Sequence, residues 1–222
     1  MGRRLRIVLL AVAAGVVLVV AGGYLALKLT GDDAPPPPTL SGAPAAAGAA
    51  EGGAERWRPL AGQGTFVGYR VNEEYLGVGV RSAVGRTSAV TGTVTVDGDR
   101  IESAELTADM RRVVSDQSRR DDTLRYRGIE TDRYPTSRFT LSAPVALAAH
   151  AGPAQGTLTL HGRRAPIDVT VRGQRVARGR LELVGSAPIE FARFGIDPPS
   201  VAGIVSVRDH GVLEFRLVLG RS

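Results

Sequence analysis

Hydrophobic residues form one long run near the start of the chain. Residues 7–29 contain no charged side chain before Lys28. As a helix, these 23 residues would extend about 34 Å at 1.5 Å per residue. Because the hydrocarbon core of a bilayer is about 30 Å thick, the run predicts a single membrane-spanning helix.

The charges on either side of this run predict its orientation. Three arginines lie within residues 1–6, whereas Asp32 and Asp33 follow the run. Because positive residues stay on the cytoplasmic side, we expect a single-pass protein of the cell membrane with residues 1–6 in the cytoplasm and the C-terminal part outside it. A cleaved secretory signal is the alternative, but its apolar core usually spans about 7–15 residues. The longer run, without a convincing cleavage site, favours an uncleaved anchor.

A different composition follows the predicted anchor. Residues 30–55 are rich in Ala, Gly and Pro and include four consecutive prolines at positions 35–38. Such a segment cannot bury enough apolar surface to offset the entropy lost on ordering. We therefore predict a disordered linker, stiffer in its proline part, that tethers a domain of residues 56–222 to the membrane.

In residues 56–222, apolar and polar residues alternate with a period of two. This alternation is typical of β-strands with one buried face. The predicted strands include residues 66–71, 90–96, 101–110, 137–142, 156–160, 166–172, 179–187, 203–208 and 211–219. The predicted turns between several of them are marked by His161-Gly162, Arg172-Gly173 and His210-Gly211.

A tight hairpin is predicted around Asp97, Gly98 and Asp99, which are favourable turn residues. Uninterrupted alternation after this turn would place five residues on one face. They are Glu102, Ala104, Leu106, Ala108 and Met110.

One segment, residues 116–129, has a helical pattern with Ser115 or Asp116 as its candidate cap. The residues expected to face inward are Leu124, Tyr126 and Ile129. Eight or nine antiparallel strands with one short helix predict an all-β domain, either a barrel or a sandwich. A barrel of about eight strands can enclose one small ligand.

Composition narrows the classes of function. The chain has 28 basic and 22 acidic residues, for a net charge of +6. Acids and arginines are interleaved, as in residues 119–122, which favours a mixed solvated surface over a nucleic-acid site. The absence of cysteine excludes disulfides, thiolate ligands and a cysteine nucleophile. The three histidines are too scattered to indicate a metal site, and we predict neither a metal nor a cofactor.

Motifs of common enzyme classes are absent from the sequence. The chain has no G-x-S-x-G, H-E-x-x-H, P-loop or complete G-x-G-x-x-G sequence. Scattered Ser, His and Asp residues leave a surface hydrolase as a lesser alternative. We predict a binding protein without catalytic residues.

Four segments, in order along the chain, carry a resemblance to a known family. They are residues 84–98, 115–139, 156–169 and 185–200. Their most specific elements are R-D-x-x-L at 120–124, Tyr134-Pro135 followed by Phe139, L-T-L-H-G at 158–162 and F-G-I at 194–196. The chain resembles the YceI-like family of lipid- and polyisoprenoid-binding proteins, in a membrane-anchored form typical of actinobacterial envelopes. It departs from the usual pattern at residues 163–164, two arginines that follow the glycine.

The resemblance implies an extended, lipocalin-like antiparallel β-barrel over residues 56–222 that holds a long isoprenoid or fatty chain, and no shared catalytic residue. Tyr69, Tyr126 and an arginine such as Arg120 or Arg138 are candidates to contact a polar head at the mouth. The predicted ligand-binding residues are Val67, Tyr69, Val71, Val94, Val96, Leu106, Tyr126, Phe139, Leu141, Leu158, Leu160, Phe191, Phe194, Phe215 and Leu217.

The main alternative is a filled β-sandwich that acts as an interaction module of the cell envelope. Its basic outer face would bind wall polymers or another membrane protein. Side chains in a sandwich meet across about 10 Å and leave no room for a lipid chain, whereas a binding barrel has an apolar cavity. A hollow interior therefore distinguishes the two hypotheses. The sequence predicts neither the lipid nor the oligomeric state.

Overall fold

A computed structural model of the chain describes residues 34–41, 53–176, 179–201 and 205–222. Within these ranges the helices are α1 (Ser118–Tyr126) and α2 (Phe191–Phe194), with a 3₁₀ turn at Met110–Arg112. The strands are β1 (Glu55–Pro59), β2 (Phe66–Tyr75), β3 (Gly79–Thr87), β4 (Val90–Asp97), β5 (Arg100–Asp109), β6 (Val114–Ser115), β7 (Thr136–Leu141), β8 (Val145–Ala146), β9 (Gly152–Leu160), β10 (Arg163–Val176), β11 (Arg180–Glu190), β12 (Ser200–Val201) and β13 (Val205–Arg221).

The predicted transmembrane helix, at residues 7–29, lies outside the described residues. No helix in the described part of the chain has both the length and the apolar character needed to cross a bilayer.

The strands form a closed antiparallel barrel. β1 pairs with β13 on one side and with β4 on the other, which closes the sheet. β1 and β2 lie end to end along β13, and β4 and β3 lie end to end beside them. The wall therefore has eight positions, in the order β1/β2, β3/β4, β5, β7, β9, β10, β11 and β13. This closure confirms the all-β barrel and decides against the sandwich.

The two ends of the barrel differ. The upper end, as we call it, contains the β2–β3 turn at residues 76–78 and α1, which Arg120 joins to Glu73 near the end of β2. The lower end contains the β4–β5 turn, Gly98 and Asp99. Trp57, 2% exposed, packs into the core near the lower end.

Two predicted turns are confirmed, and two are wrong. Gly98 and Asp99 connect β4 to β5, as predicted for the hairpin. His161 and Gly162 connect β9 to β10 with φ angles of 51° and 69°. Both values are left-handed, as a two-residue type I′ turn requires. Gly173, however, lies inside β10, and His210-Gly211 lies inside β13, where the pairing with β2 shifts register. A glycine at a bulge has the same local sequence signal as a glycine at a turn.

The predicted face of β5 is also wrong at one position. The β4–β5 pairing shifts register between Thr95 and Val96. As a result, Ile101 and Ala104 are buried, whereas Glu102 is exposed and pairs with Arg100. The bulge reverses the alternation that the sequence suggested.

The helix is shorter than predicted and is not capped by Ser115 or Asp116. Its N-cap is Gln117, which makes no side-chain capping hydrogen bond. Ser115 instead donates from its N–H and its Oγ to Asp121 Oδ1, at 3.0 and 2.7 Å. Leu124 faces the interior as predicted, but Tyr126 is 70% exposed because it points away from the barrel at the end of α1.

Part of the predicted disordered linker contacts the barrel. Residues 34–41 have no regular secondary structure, yet the carbonyls of Pro35 and Pro36 accept hydrogen bonds from the outer wall. Because proline already restricts φ, docking this segment costs less conformational entropy than docking a flexible one.

Candidate functional site

The barrel encloses an apolar chamber in its lower half, which we call the lower chamber. Its volume is about 90 Å³. A cavity needs roughly 10–15 Å³ of such volume to hold one water, so several groups of methylene size have room here. Thr107 and Ser137 are the polar residues among its lining. An apolar lining of this kind favours hydrocarbon over water.

A second space, the upper chamber, lies beneath α1. Its volume is about 110 Å³. Val67, Ser137 and Leu213 line both chambers, so the two spaces adjoin along the barrel. The upper chamber also has polar lining residues, Tyr69, Glu73 and Arg120 among them. The interior thus changes from apolar at the lower end to amphipathic at the upper end.

Glu73 and Arg120 form a bidentate ion pair that attaches α1 to β2. Arg120 Nε and Nη2 donate to the two Glu73 carboxylate oxygens at 3.0 and 3.1 Å. Burial lowers the pKa of Arg120, but the hydrogen bonds and the charge of Glu73 outweigh this effect. The pKa of Arg120 is therefore raised overall. Burial and the 2.8 Å hydrogen bond that Tyr75 donates to Glu73 raise the pKa of Tyr75 to about 12. Asp116 also pairs with Arg120.

Tyr69 lines the upper chamber, and its hydroxyl is buried without a partner among the described residues. Its ring lies over Gly85 on β3, where a Cβ atom would come within 2.4 Å of the ring. Glycine is therefore needed at position 85 to seat the tyrosine. Burial raises the pKa of Tyr69 far above its usual value, so the hydroxyl stays protonated and is available as a donor.

The chambers bring together twelve of the fifteen predicted ligand-binding residues. Those that line the lower chamber are Val67, Val94, Leu106, Phe139, Leu141, Leu158, Phe215 and Leu217. Those that line the upper chamber are Val67, Tyr69, Val71, Leu160 and Phe191. Val96 and Phe194 are packed in the core and border neither chamber.

Of the residues predicted to contact a polar head group, two line the upper chamber and two lie outside both chambers. Arg120 and Tyr69 line the upper chamber. Tyr126 lies on the outer surface of α1, and Arg138 is exposed on β7. Both Tyr126 and Arg138 are thus outside the two chambers.

Sequence reasoning missed several lining residues. Ile167, Val169 and Val171 on β10 border the lower chamber, and their alternation within predicted strand 166–172 was the available signal. Glu73 lines the upper chamber, but its acidic side chain gave no sign of facing inward. Ala104 and Ala154 line the lower chamber, where their small side chains leave the open space.

The histidine of the L-T-L-H-G element, His161, makes contacts that connect parts of the fold. His161 Nδ1 lies 3.1 Å from the carbonyl oxygen of Phe194, and its Nε2 lies 2.8 Å from a carboxylate oxygen of Glu130. Tyr134 packs edge-on against the ring. These contacts join the β9–β10 turn to α2. Within the described ranges, no group of three or more His, Asp or Glu residues is arranged to hold a metal ion.

Comparison with known proteins agrees with this architecture. Residues 60–219 match the family described as the YceI-like domain. No curated protein matches the sequence. A polyisoprenoid-binding domain from Saccharophagus degradans, implicated in plant cell wall breakdown, has a similar structure, with a TM-score of 0.58 and 18% identity, over 75% of this chain and 98% of that one. BcnA from Burkholderia cenocepacia is similar with a TM-score of 0.53 and 20% identity, over 68% of this chain and 95% of that one.

The matched region includes both chambers, α1 and the strands of the wall from β2 onward, whereas β1 lies just before it. At 18% and 20% identity, the structural likeness concerns the fold. The family match covers well over half of the chain. This protein therefore belongs to the YceI-like family.

Proposed function

We propose that this protein is a membrane-tethered carrier that holds a polyisoprenoid or another long-chain amphiphile in its barrel, on the outer side of the cell membrane. The two adjoining chambers are the observation that supports it. Their apolar lining fits a hydrocarbon chain, and burial of each methylene contributes about 0.8 kcal/mol relative to water. The structural neighbour from Saccharophagus degradans is itself described as polyisoprenoid-binding, which agrees with this ligand class.

Exchange with a membrane follows from the same physics. A lipid that leaves a bilayer for the barrel moves from one apolar medium to another, so the hydrophobic gain largely cancels. Net affinity then depends on fit and on head-group contacts. Tethering raises the local concentration of the barrel near its lipid source, so a carrier of modest affinity suffices.

The upper chamber favours an uncharged oxygen-bearing head group. Tyr69 offers a hydroxyl donor, whereas the guanidinium of Arg120 is already paired with Glu73 and Asp116. Asp121 adds a further negative charge close by. A phosphate would meet more carboxylates than free cations here, so we infer that an alcohol, ester or quinone oxygen is preferred.

Native mass spectrometry of residues 34–222 tests the lipid site. We expect the delipidated protein to bind farnesol, used as the probe, more tightly than farnesyl phosphate. Ala154→Phe fills the lower chamber and should weaken binding at least tenfold. Ala146→Phe, at an exposed position of β8, is the matched control and should bind as the parent does.

Two results would overturn the carrier. One is a delipidated protein that retains its fold but gives no complex with farnesol. The other is unchanged binding in the Ala154→Phe variant, because this would place the ligand outside the barrel. Tighter binding of the phosphate would refute the preference for an uncharged head.

A further inference from the structure

Two carboxylates on the outside of the barrel are buried. The alternation of their strands predicts exposed side chains at these positions. Glu182 on β11 and Glu214 on β13 are each 2% exposed, although their strand neighbours Leu183 and Phe215 line the interior. Burying a carboxylate is costly unless it is paired and covered. Something must therefore cover this part of the outer wall.

Arginines pair with both carboxylates. Arg70 and Arg86 hold the two oxygens of Glu214 at 3.2 and 2.7 Å. Arg216 holds Glu182 at 2.8 Å. The result is a ladder of ion pairs across β3, β2, β13 and β11 on the outer wall.

Residues 34–41, which we call the strap, lie across this ladder. Arg70 and Arg86 donate from Nη2 to the carbonyls of Pro35 and Pro36, at 2.5 and 3.1 Å. Ser41 donates from its N–H and Oγ to Glu182, at 3.2 and 3.1 Å. Consecutive prolines present carbonyl acceptors without N–H donors, and arginine is a side chain with donors only. The strap and the ladder are therefore chemically complementary.

The strap has a direction along the barrel. Its Pro35 contacts Arg70, which lies opposite Val212 of β13. Its Ser41 contacts Glu182, which lies opposite Val218, six residues further along β13 toward the lower end. The chain thus enters the strap nearer the upper end and leaves it nearer the lower end.

This direction limits where the barrel can sit. The predicted anchor ends at residue 29, and four residues separate it from Ala34. Five Cα–Cα steps span at most about 18 Å in an extended chain. With the strap docked, an anchor at residues 7–29 would hold the upper half of the barrel next to the bilayer.

The surface of the upper end suits a membrane. Leu76, Val80 and Tyr126 are 74%, 50% and 70% exposed. Residues 110–127 carry six arginines and three aspartates, and Arg119 and Arg127 are exposed. Apolar and aromatic side chains among basic ones are typical of surfaces that contact anionic lipid head groups.

We propose that the strap docks the barrel with its upper end against an anionic bilayer, so that the upper chamber opens toward the membrane. The inference rests on the membrane-tethered carrier proposed above. It adds an orientation, because the docked strap holds the barrel in one position relative to the membrane instead of leaving it free to rotate.

Labels on the full-length protein in vesicles test this orientation. The chain contains no cysteine, so Leu76→Cys and Asp99→Cys each create one unique labelling site, at the upper and lower ends. The vesicles contain phosphatidylcholine, phosphatidylglycerol and a lipid-borne quencher. We expect the fluorophore at position 76 to be quenched at least three times as strongly as the one at position 99. Equal quenching of both would overturn the proposal.

Two linker variants test the strap itself. Replacing residues 35–38 by Gly-Ser-Gly-Ser should reduce the difference between the labels at least twofold, whereas the same replacement at residues 45–48 should not. Inserting twenty Gly and Ser residues between Asp33 and Ala34 leaves the strap intact and should also reduce the difference between the labels. An undiminished difference in both variants would show that the strap does not set the orientation.

The readouts separate this inference from the carrier function. Farnesol binding by residues 34–222 with equal quenching of the two labels would refute the orientation alone. Loss of farnesol binding with unequal quenching would refute the carrier alone. A full-length chain that fails to remain in washed vesicles would refute the anchor and the orientation together.

Discussion

Two partly buried tyrosines, Tyr69 and Tyr75, differ in the hydrogen bonding of their hydroxyls. The Tyr75 hydroxyl donates to Glu73, whereas the Tyr69 hydroxyl has no partner among the described residues. Leaving a buried hydroxyl unsatisfied costs about 1–3 kcal/mol. In the proposed function, an oxygen of the ligand would accept the hydrogen bond of this hydroxyl.

Alkaline titration should reveal both tyrosines. Burial raises the pKa of Tyr69, and burial with the Glu73 hydrogen bond raises the pKa of Tyr75 to about 12. Because both shifts are upward, their contribution to stability is complete below the normal tyrosine pKa of about 10. It is lost as the pH rises through the folded-state values.

We expect two tyrosines of residues 34–222 to remain neutral at pH values where unfolded tyrosine ionises, as followed by tyrosinate absorbance. Tyr69→Phe and Tyr75→Phe should each remove one late-titrating group. Normal titration of both groups in the folded protein would contradict the burial of the Tyr69 hydroxyl and the hydrogen bond between Tyr75 and Glu73.

At the scale of elements, α1 depends on one ion pair more than on packing. None of its residues is fully buried, and Arg120 and Glu73 have side chains 12% and 11% exposed. A nearly buried pair of this kind is costly to break on one side, since the remaining charge is left without a partner.

We therefore expect Arg120→Met to destabilise the protein by about 3 kcal/mol, with faster hydrogen exchange in α1. Adding Glu73→Gln should recover part of the loss, because the unpaired carboxylate is then gone. Arg125→Met removes an exposed pair with Asp122 and should change the unfolding free energy by about 0.5 kcal/mol or less. Denaturant unfolding measures all four proteins, and equal effects of Arg120→Met and Arg125→Met would contradict this role.

The prediction of helices, strands and turns succeeded where the sequence signal was local. The β9–β10 turn was predicted from His161-Gly162 because turn type depends on those two residues. The ends of α1 and the strand nature of Gly173 were not predicted. They depend on partners distant in sequence, such as β11 beside β10.

At the scale of the whole molecule, closure of the barrel creates the two chambers. The β1–β13 pairing joins residues 57–59 to 219–221, the two ends of the domain. That pairing converts inward-facing strand residues into an enclosed apolar space. In the proposed function, the predicted membrane anchor would place this space beside its lipid source.

Membrane topology is the prediction that belongs to this scale. A reporter that is active only outside the cytoplasm, fused after Ser222, should be active in intact cells. Replacing the three arginines of residues 1–6 by glutamate should reduce that activity, because the charge difference across the anchor is weakened. A fusion of a cytoplasm-active reporter at the same position should be inactive, and its activity would reverse the assignment.

The sequence by itself determined the all-β class, most strand positions, the β9–β10 turn and the family resemblance. These properties follow from periodicity and turn chemistry within short segments. It also identified twelve residues that border the chambers, because alternation shows which side chains point inward.

Only the tertiary structure decided which inward residues border open space. Val94 lines the lower chamber, whereas Val96, two residues later on the same face, is packed in the core. The bulge that turns Glu102 outward depends on the register of the β4–β5 pairing. The docking of residues 34–41 and the closure of the barrel depend on contacts between distant residues. Volume and distant pairing are properties of the assembled barrel, and no local sequence pattern encodes them.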